Sequence, residues 1–220
     1  MSSVNNLKTT LIGSGGHARV LTEALRALDV SVDIVVSKNA FSSSSPEGVE
    51  FFDSDCSFLS SYAADQVILV NALGSLPGDR SSRKRLFELY RSRGYRFRTV
   101  VSPLAYVAPS VMLGEGTQVN AGAIVQAGAV IGANAIVNTG AIVEHDCVIG
   151  DHCHIAPGAV MSGGVELGSA VHVGAGARVI QGVSIGRGTV IGAGATVIED
   201  IGAEKTYVSR LTLAVEVRNE

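Results

Sequence analysis

The stretch 119-VNAGAIVQAGAVIGANAIVNTGAIVEHDCVIGDHCHIAPGAV-160 decides the fold. It divides into sixes: VNAGAI, VQAGAV, IGANAI, VNTGAI, VEHDCV, IGDHCH and IAPGAV. The same frame runs outward in both directions, from Val107 to Gly202, as sixteen hexads without an insertion. Every hexad begins with an aliphatic residue or Met161, and every fifth residue is small or β-branched. A helix repeats every ~3.6 residues and cannot hold this register. The six-residue period predicts an all-β parallel β-helix built from hexapeptides. Each hexad is one short strand and a corner, and three hexads close a triangular coil of eighteen residues. The first-position side chain points into the prism, and the fifth fills the space near the corner. The coils stack about 4.8 Å apart through backbone ladders.

An eighteen-residue coil turns spacing into geometry. Gly163 is expected directly over His145, and His172 over His154, while Pro157, Ala175 and Ala193 form another column. His145 and His154 are half a coil apart and face away from each other across the prism. They share a site only if two subunits supply one each. The stretch 143–160 holds three of the five histidines, two of the three cysteines and three acids. Cys147 and Cys153 occupy fifth positions and read as small core hydrophobes. A zinc set from His145, His152, Cys153 and His154 does not converge, because Cys153 points inward and its histidine neighbours outward, so no metal is expected. His145 occupies a third position and projects near a corner. The expected glycine above it leaves open space beside the imidazole. Glu144 and Asp146 flank it, and a carboxylate on Nδ1–H raises the basicity of Nε2. Neighbours on a straight strand point to opposite faces, so contact with Asp146 needs the bend that the corner supplies.

Before the coils the chain reads differently. The segment 7-LKTTLIGSGGHARVLTEALRAL-28 is predicted as strand, glycine turn and helix, with Val20, Leu21, Ala24, Leu25 and Leu28 as the helical stripe. Gly13, Gly15 and Gly16 let backbone N–H groups approach an anion at the helix start, and His17 follows directly. The turn lacks the third glycine of G-x-G-x-x-G, since Ala18 stands there, and NAD binding is not inferred from it. The segments 32-VDIVVS-37 and 66-QVILVNALG-74 read as buried parallel strands. The run 79-DRSSRKRLFELYRSRG-94 reads as a helix with Asp79 near its start, and 95-YRFRTVVSP-103 as a strand leading into the coils. Alternating strands and helices imply a Rossmann-like α/β unit over residues 1–102, followed by the β-helix with its tail over 103–220. Formal net charge is −3 and no Lys/Arg run appears, which argues against a nucleic-acid partner. No stretch of about 20 apolar residues exists, so no membrane insertion is expected. A signal-peptide pattern is lacking at the N-terminus, and three cysteines make no disulfide framework, so a cytoplasmic protein is expected.

The motifs GSGGHARV (13–20), ALG (72–74), SPLAYVAPSV (102–111) and NTGAIVEHDCVIGDHCHIAPGA (138–159) mark a resemblance that covers essentially the whole chain. With them the sequence resembles the nucleotide-aminosugar N-acetyltransferases of bacterial glycan biosynthesis. These are hexapeptide-repeat acyltransferases whose sialic-acid O-acetyltransferase relatives share the layout. The resemblance implies a left-handed β-helix, an exception to the usual crossover hand. It implies a homotrimer with inter-subunit active sites, and acetyl-CoA as cosubstrate. By it His145 is the general base and Asp146 its orienting acid. His154 belongs to the acetyl-CoA site, where Gly163, Ala175 and Ala193 offer backbone contacts to the thioester and pantetheine arm. Gly15, Gly16, His17 and Gly74 match the nucleotide-sugar pocket. Arg178, Arg187, Lys205 and Arg210 are candidates for the CoA phosphates. Two departures stand out. Where some relatives carry an acid pair for the nucleotide base, this chain has Ser37 and Lys38, and its C-terminus lacks the Gly-x-Pro-Ala ending. The expected activity is N-acetylation of a nucleotide-linked 4-amino-4,6-dideoxy sugar. The alternatives are O-acetylation of sialic acid or another sugar hydroxyl, and a non-catalytic trimeric scaffold.

Overall fold

The computed structural model describes residues 7–39, 48–75 and 81–208. The N-terminal part is a small α/β unit. Its elements are β1 (Lys8–Ile12), α1 (Gly16–Arg26), β2 (Ile34–Val36), β3 (Glu50–Phe52), α2 (Asp55–Ser61), β4 (Val67–Asn71) and α3 (Ser81–Arg91). The four strands are parallel in the order β3-β2-β1-β4. Strand β4 is buried on both faces, as its unbroken apolar run requires. Helix α1 buries Ala18, Leu21 and Leu25 against the sheet. Val20 and Leu28, read from sequence as part of that stripe, are exposed. Val20 lies on the far side of the helix, and Leu28 follows its last turn. Strand β3 and helix α2 were not anticipated. Ser54 caps α2 by accepting from the Ser57 N–H, a local signal inside an otherwise polar stretch. The polar stretch 39-NAFSSSSPEG-48, which reads from sequence as a loop, falls mostly on residues 40–47, outside the described residues, as do Asp79 and Arg210.

From Val100 onward the chain is a stack of two-residue strands in three parallel sheets of five, six and seven strands. This repeated pattern fits a left-handed β-helix. Successive rungs pair eighteen residues apart, as in Ile136↔His154, His154↔His172 and His172↔Val190. The reason is the first-position column, which faces inward throughout. Val119, Val125, Ile131, Val137, Val143, Ile149, Ile155 and Met161 belong to one continuous core with their later counterparts. Fifth-position Ala, Cys and Val residues fill the same core. Where that residue carries a donor, the donor serves the coil above. Cys147 Sγ lies 3.2 Å from the Ser162 carbonyl and Cys153 Sγ 3.1 Å from that of Gly168. Thr117 Oγ1 donates to the Gly132 carbonyl at 2.7 Å.

The lap fails once. At the end Ile201 pairs with Ile185 and Thr206 with Val190, each sixteen residues back. The sixteenth hexad, VIEDIG, therefore does not close as a regular repeat. Asp200 explains the loss: its carboxylate accepts from the Ser184 N–H at 2.8 Å and takes the place of a ladder carbonyl.

The α/β unit covers the outer surface of the seven-stranded sheet. Gln118, Ile136 and His154 point outward from that sheet yet are buried. The other two sheets carry apolar side chains outward, with Tyr106 and Met112 more than half exposed.

Ile155 is wholly buried at a first position between two coils. Ile155→Ala is expected to lower the unfolding free energy by about 2–5 kcal/mol, read from the midpoint of a urea titration.

Candidate functional site

His145 lies in the corner between strand Ile142–Val143 and strand Val148–Ile149, so it projects from an edge of the prism. The corner's fourth position adopts a left-handed backbone, and most hexads place glycine there. In this corner it is Asp146, with φ 59°. That conformation turns the Asp146 side chain back toward its neighbour, and its Oδ2 stands 2.9 Å from His145 Nδ1. The bend required from sequence is thus supplied by one αL aspartate, a residue type that tolerates this region better than most. Both side chains are mostly exposed, so the pair adds little to stability. Its effect is orientation: Nδ1–H donates to the carboxylate, which leaves the lone pair on Nε2.

Two glycines make room for the pair. A Cβ on Gly163, one coil above, would stand 2.5 Å from His145 Nε2. A Cβ on Gly128, one coil below Asp146, would stand 2.5 Å from its Oδ1. The Gly163 N–H makes no backbone hydrogen bond among the described residues, while the Gly164 N–H is taken by the His145 carbonyl at 2.9 Å. Ala175 and Ala193 stack as expected, with Gly176 N–H on the Pro157 carbonyl and Gly194 N–H on that of Ala175. They are exposed, but on a different corner from Gly163, the one following strand His172–Val173. Arg178, Arg187 and Lys205 are exposed as well.

His154 belongs to a second cluster, under the α/β unit. Its Nδ1–H donates to the Ser75 carbonyl at 2.9 Å, and its Nε2 accepts from Asn138 Nδ2 at 3.1 Å. Asn138 is itself oriented by Asn120 Nδ2, which donates to its Oδ1 at 2.9 Å. The ring of His172 meets that of His154 edge-on at 4.9 Å. His17 Nε2–H donates to Gln118 Oε1 at 2.7 Å, and Gln118 Nε2 donates to the Asn71 carbonyl at 2.8 Å. Gly74 lies against His17, 3.8 Å from a would-be Cβ to the His17 Cβ. Burial pushes the His17 pKa down to about 4, helped by the charge of Arg83 and opposed by the bond to Gln118. Burial likewise pushes His154 down to about 3, with His172, His17 and Arg83 adding to the fall and the Ser75 bond opposing it. His154 is therefore neutral at physiological pH with both nitrogens engaged. It can bind and orient but does not serve as the base. The sequence spacing singled out His17 and His154 but passed over Asn138, Gln118 and Asn71. No pattern marks them: the second hexad position also carries Asn120, Gln126 and Glu144, and the sixth also carries Glu166 and Arg178.

The sequence placed His145 and His154 apart, and the structure does too: one is on a corner, the other on the face covered by the α/β unit. Gly15 and Gly16 open α1, whose N-cap has no side-chain hydrogen bond, and no atom other than the Arg19 guanidinium at 3.8 Å comes near a Cβ at either. Beside them a cavity of about 480 Å³ opens at the carboxyl ends of the strands, lined by Ile12, Gly13, Val36, Lys38, Asp53 and Leu73 among others. Cys153 points into the core, and burial pushes its thiol up to about 12. His152 is turned toward Asn134, at 3.0 Å, and Phe87. Among the described residues no three His, Cys, Asp or Glu side chains converge as a metal site, and no helix is long and apolar enough to cross a membrane.

Parallel sheets wound in eighteen-residue laps, with an imidazole–carboxylate pair on a corner, define a hexapeptide transferase. The bacterial transferase hexapeptide family (six repeats) matches residues 128–163. Among solved structures, GDP-perosamine N-acetyltransferase from Caulobacter crescentus, in complex with CoA and GDP-perosamine, is 35% identical with a TM-score of 0.81. The match covers 94% of this chain and 96% of that one. The acetyltransferase domain of PglB from Neisseria gonorrhoeae is 32% identical with a TM-score of 0.83, over 93% and 97%. The same domain has been solved with acetyl coenzyme A. WeeI from Acinetobacter baumannii, at 24% identity and a TM-score of 0.79, shares the fold. No curated protein sequence matches. The chain belongs to the nucleotide-aminosugar N-acetyltransferases of the hexapeptide-repeat acyltransferase superfamily, and it is an acetyl-CoA-dependent sugar acetyltransferase.

Two outcomes follow from the geometry. Gly163→Ala places a methyl group against His145 Nε2 and should cut kcat on the order of 10²-fold with the melting temperature nearly unchanged. Acid should destabilise the fold through the buried imidazoles. The unfolded chain takes up their protons near pH 6.5, whereas folded His17 and His154 resist until about 4 and 3. The unfolded state binds more protons in that window, so stability is full above 6.5 and falls as pH drops toward 4. Urea midpoints across that range should show the fall, and His17→Asn should make it shallower.

Proposed function

We propose that this enzyme transfers acetyl from acetyl-CoA to the 4-amino group of a nucleotide-linked 4-amino-4,6-dideoxy sugar in bacterial surface glycan biosynthesis. His145 is the general base. The observation that carries this reading is the His145–Asp146 pair with its Nε2 beside the Gly163 gap. The sugar amine attacks the thioester carbonyl as His145 Nε2 takes its proton, a contribution of typically about 10²–10⁴-fold. The Gly163 N–H donates to the oxyanion. The tetrahedral intermediate expels the CoA thiolate, which recovers the proton from His145. The products are the N-acetyl sugar and free CoA. No covalent enzyme intermediate is needed, in keeping with two cysteines that sit in the core.

The working form is a homotrimer with sites between subunits. His145 and Gly163 occupy one corner, Ala175 and Ala193 another, and His154 a face, so one chain does not bring them together. The apolar side chains on the two uncovered sheets, including Met112, Tyr106 and Val148, suit packing against neighbouring prisms. In this arrangement His154, Gly163, Ala175 and Ala193 hold the acyl-CoA. The α/β unit, Rossmann-like over residues 1–102, presents Gly15, Gly16, His17 and Gly74 to the nucleotide sugar. The open start of α1 suits a diphosphate, and the adjacent cavity suits the base. Lys38 and Asp53 on its rim pair with a carbonyl and an N–H, which guanine, uracil and thymine present and adenine does not. The Caulobacter crescentus relative, solved with GDP-perosamine and CoA, supports a nucleotide-linked amino sugar.

His145→Ala should nearly abolish acetyl transfer, followed by thiol release, while calorimetry shows CoA binding preserved. Unchanged turnover would give the base to another residue. A panel of GDP-, UDP-, dTDP- and ADP-linked amino sugars, with the matching hydroxy sugars alongside, should give turnover with an amine on one of the first three. Preference for a hydroxyl acceptor would move the reading to O-acetylation.

A further inference from the structure

Arg83 lies on the inward stripe of α3 with Phe87 and Tyr90, where an apolar residue would be expected. It is 2% exposed, and no carboxylate pairs with it among the described residues. Burial brings its pKa down to about 9, which leaves it charged at neutral pH. A hydrophobic side chain would fill this place at lower cost, since a buried cation without a counter-charge is destabilising.

What the guanidinium holds is specific. Nη1 donates to the carbonyls of Asn71 and Leu73, each at 2.7 Å, and Nε donates across to the Asn134 carbonyl of the β-helix at 3.3 Å. Asn71 Nδ2 answers with bonds to the Arg83 carbonyl at 3.1 Å and to Asn134 Oδ1 at 3.0 Å. Two legs run from these atoms to the site. The Asn71 carbonyl also accepts from Gln118, whose Oε1 takes the His17 Nε2–H. Leu73 lies two residues before Ser75, whose carbonyl takes the His154 Nδ1–H. One buried cation thus anchors the hydrogen-bond partners of both imidazoles.

We propose that Arg83 is a positioning residue of the acetyl-transfer site, fixing from behind the tautomers of His17 and His154 through Gln118 and the Leu73–Ser75 segment. This rests on the reading that these two imidazoles line the site. The charge acts in the same direction as the bonds. Arg83 acts electrostatically on both His17 and His154, His172 and His17 act on His154 as well, and none of these groups is anionic. Both rings stay neutral, and each keeps one defined N–H.

The test is 15N NMR of histidine-labelled protein alongside steady-state kinetics. In the wild type at pH 6, both rings should be neutral, with the proton on Nδ1 of His154 and on Nε2 of His17. In Arg83→Gln both should protonate at least one pH unit higher and show mixed tautomers. The kcat should fall on the order of 10- to 100-fold. Arg83→Lys, which keeps the charge, should restore the low protonation range and part of kcat. A folded Arg83→Gln with unchanged tautomers and an unchanged protonation range of both rings overturns the proposal. So does a wild-type His154 protonated on Nε2, a result that needs no variant to fold. Failure of the underlying reading would look different: His17→Ala and His154→Ala would both turn over at the wild-type rate, whatever the spectra of Arg83→Gln.

Discussion

The whole structure depends on one spacing, eighteen residues between backbone partners on successive rungs. Parallel pairing at that interval puts like positions in columns, and the inward column of Val, Ile, Leu and Met forms one continuous core. A one-residue slip would rotate aliphatic side chains outward and polar ones into the prism. The candidate site inherits the same constraint. His145 has its space because residue 163 is glycine, and Asp146 can fold back because residue 128 is glycine.

The β-helix was legible in the sequence because its period is short, unbroken and incompatible with a helix. Register, the inward columns, the core role of Cys147 and Cys153, and the stacking of Gly163 on His145 followed from counting. The ending was not legible. VIEDIG satisfies the hexad pattern, and only the Asp200 side chain, acting as a substitute for a backbone acceptor, shortens the lap. Pattern reading sees side-chain type and misses such replacements. The α/β unit was read less completely for a related reason. Strand β3 is three residues long and partly exposed, so it carries no periodicity to detect.

The site was half legible. The His145–Asp146 pair announces itself as titratable residues in a bland repeat, and the need for a bend was clear from strand geometry. That the bend is an αL aspartate is a property of the corner. The cluster around His17, His154, Asn138 and Gln118 joins residues as much as 101 positions apart in the chain, and no local pattern encodes such contacts. Arg83 was hidden in a helix whose other charged residues are solvated. The clue lay in its spacing from Phe87 and Tyr90, four and seven residues on, which places it on the buried side.

The shortened final lap has a further effect. Two residues are lost from a corner while the inward column runs on, with Ile201 and Tyr207 still packed against the core. The prism thus tolerates a change of corner length without a change of interior: the backbone ladder fixes which side chains face in, and the corner only joins one side of the triangle to the next.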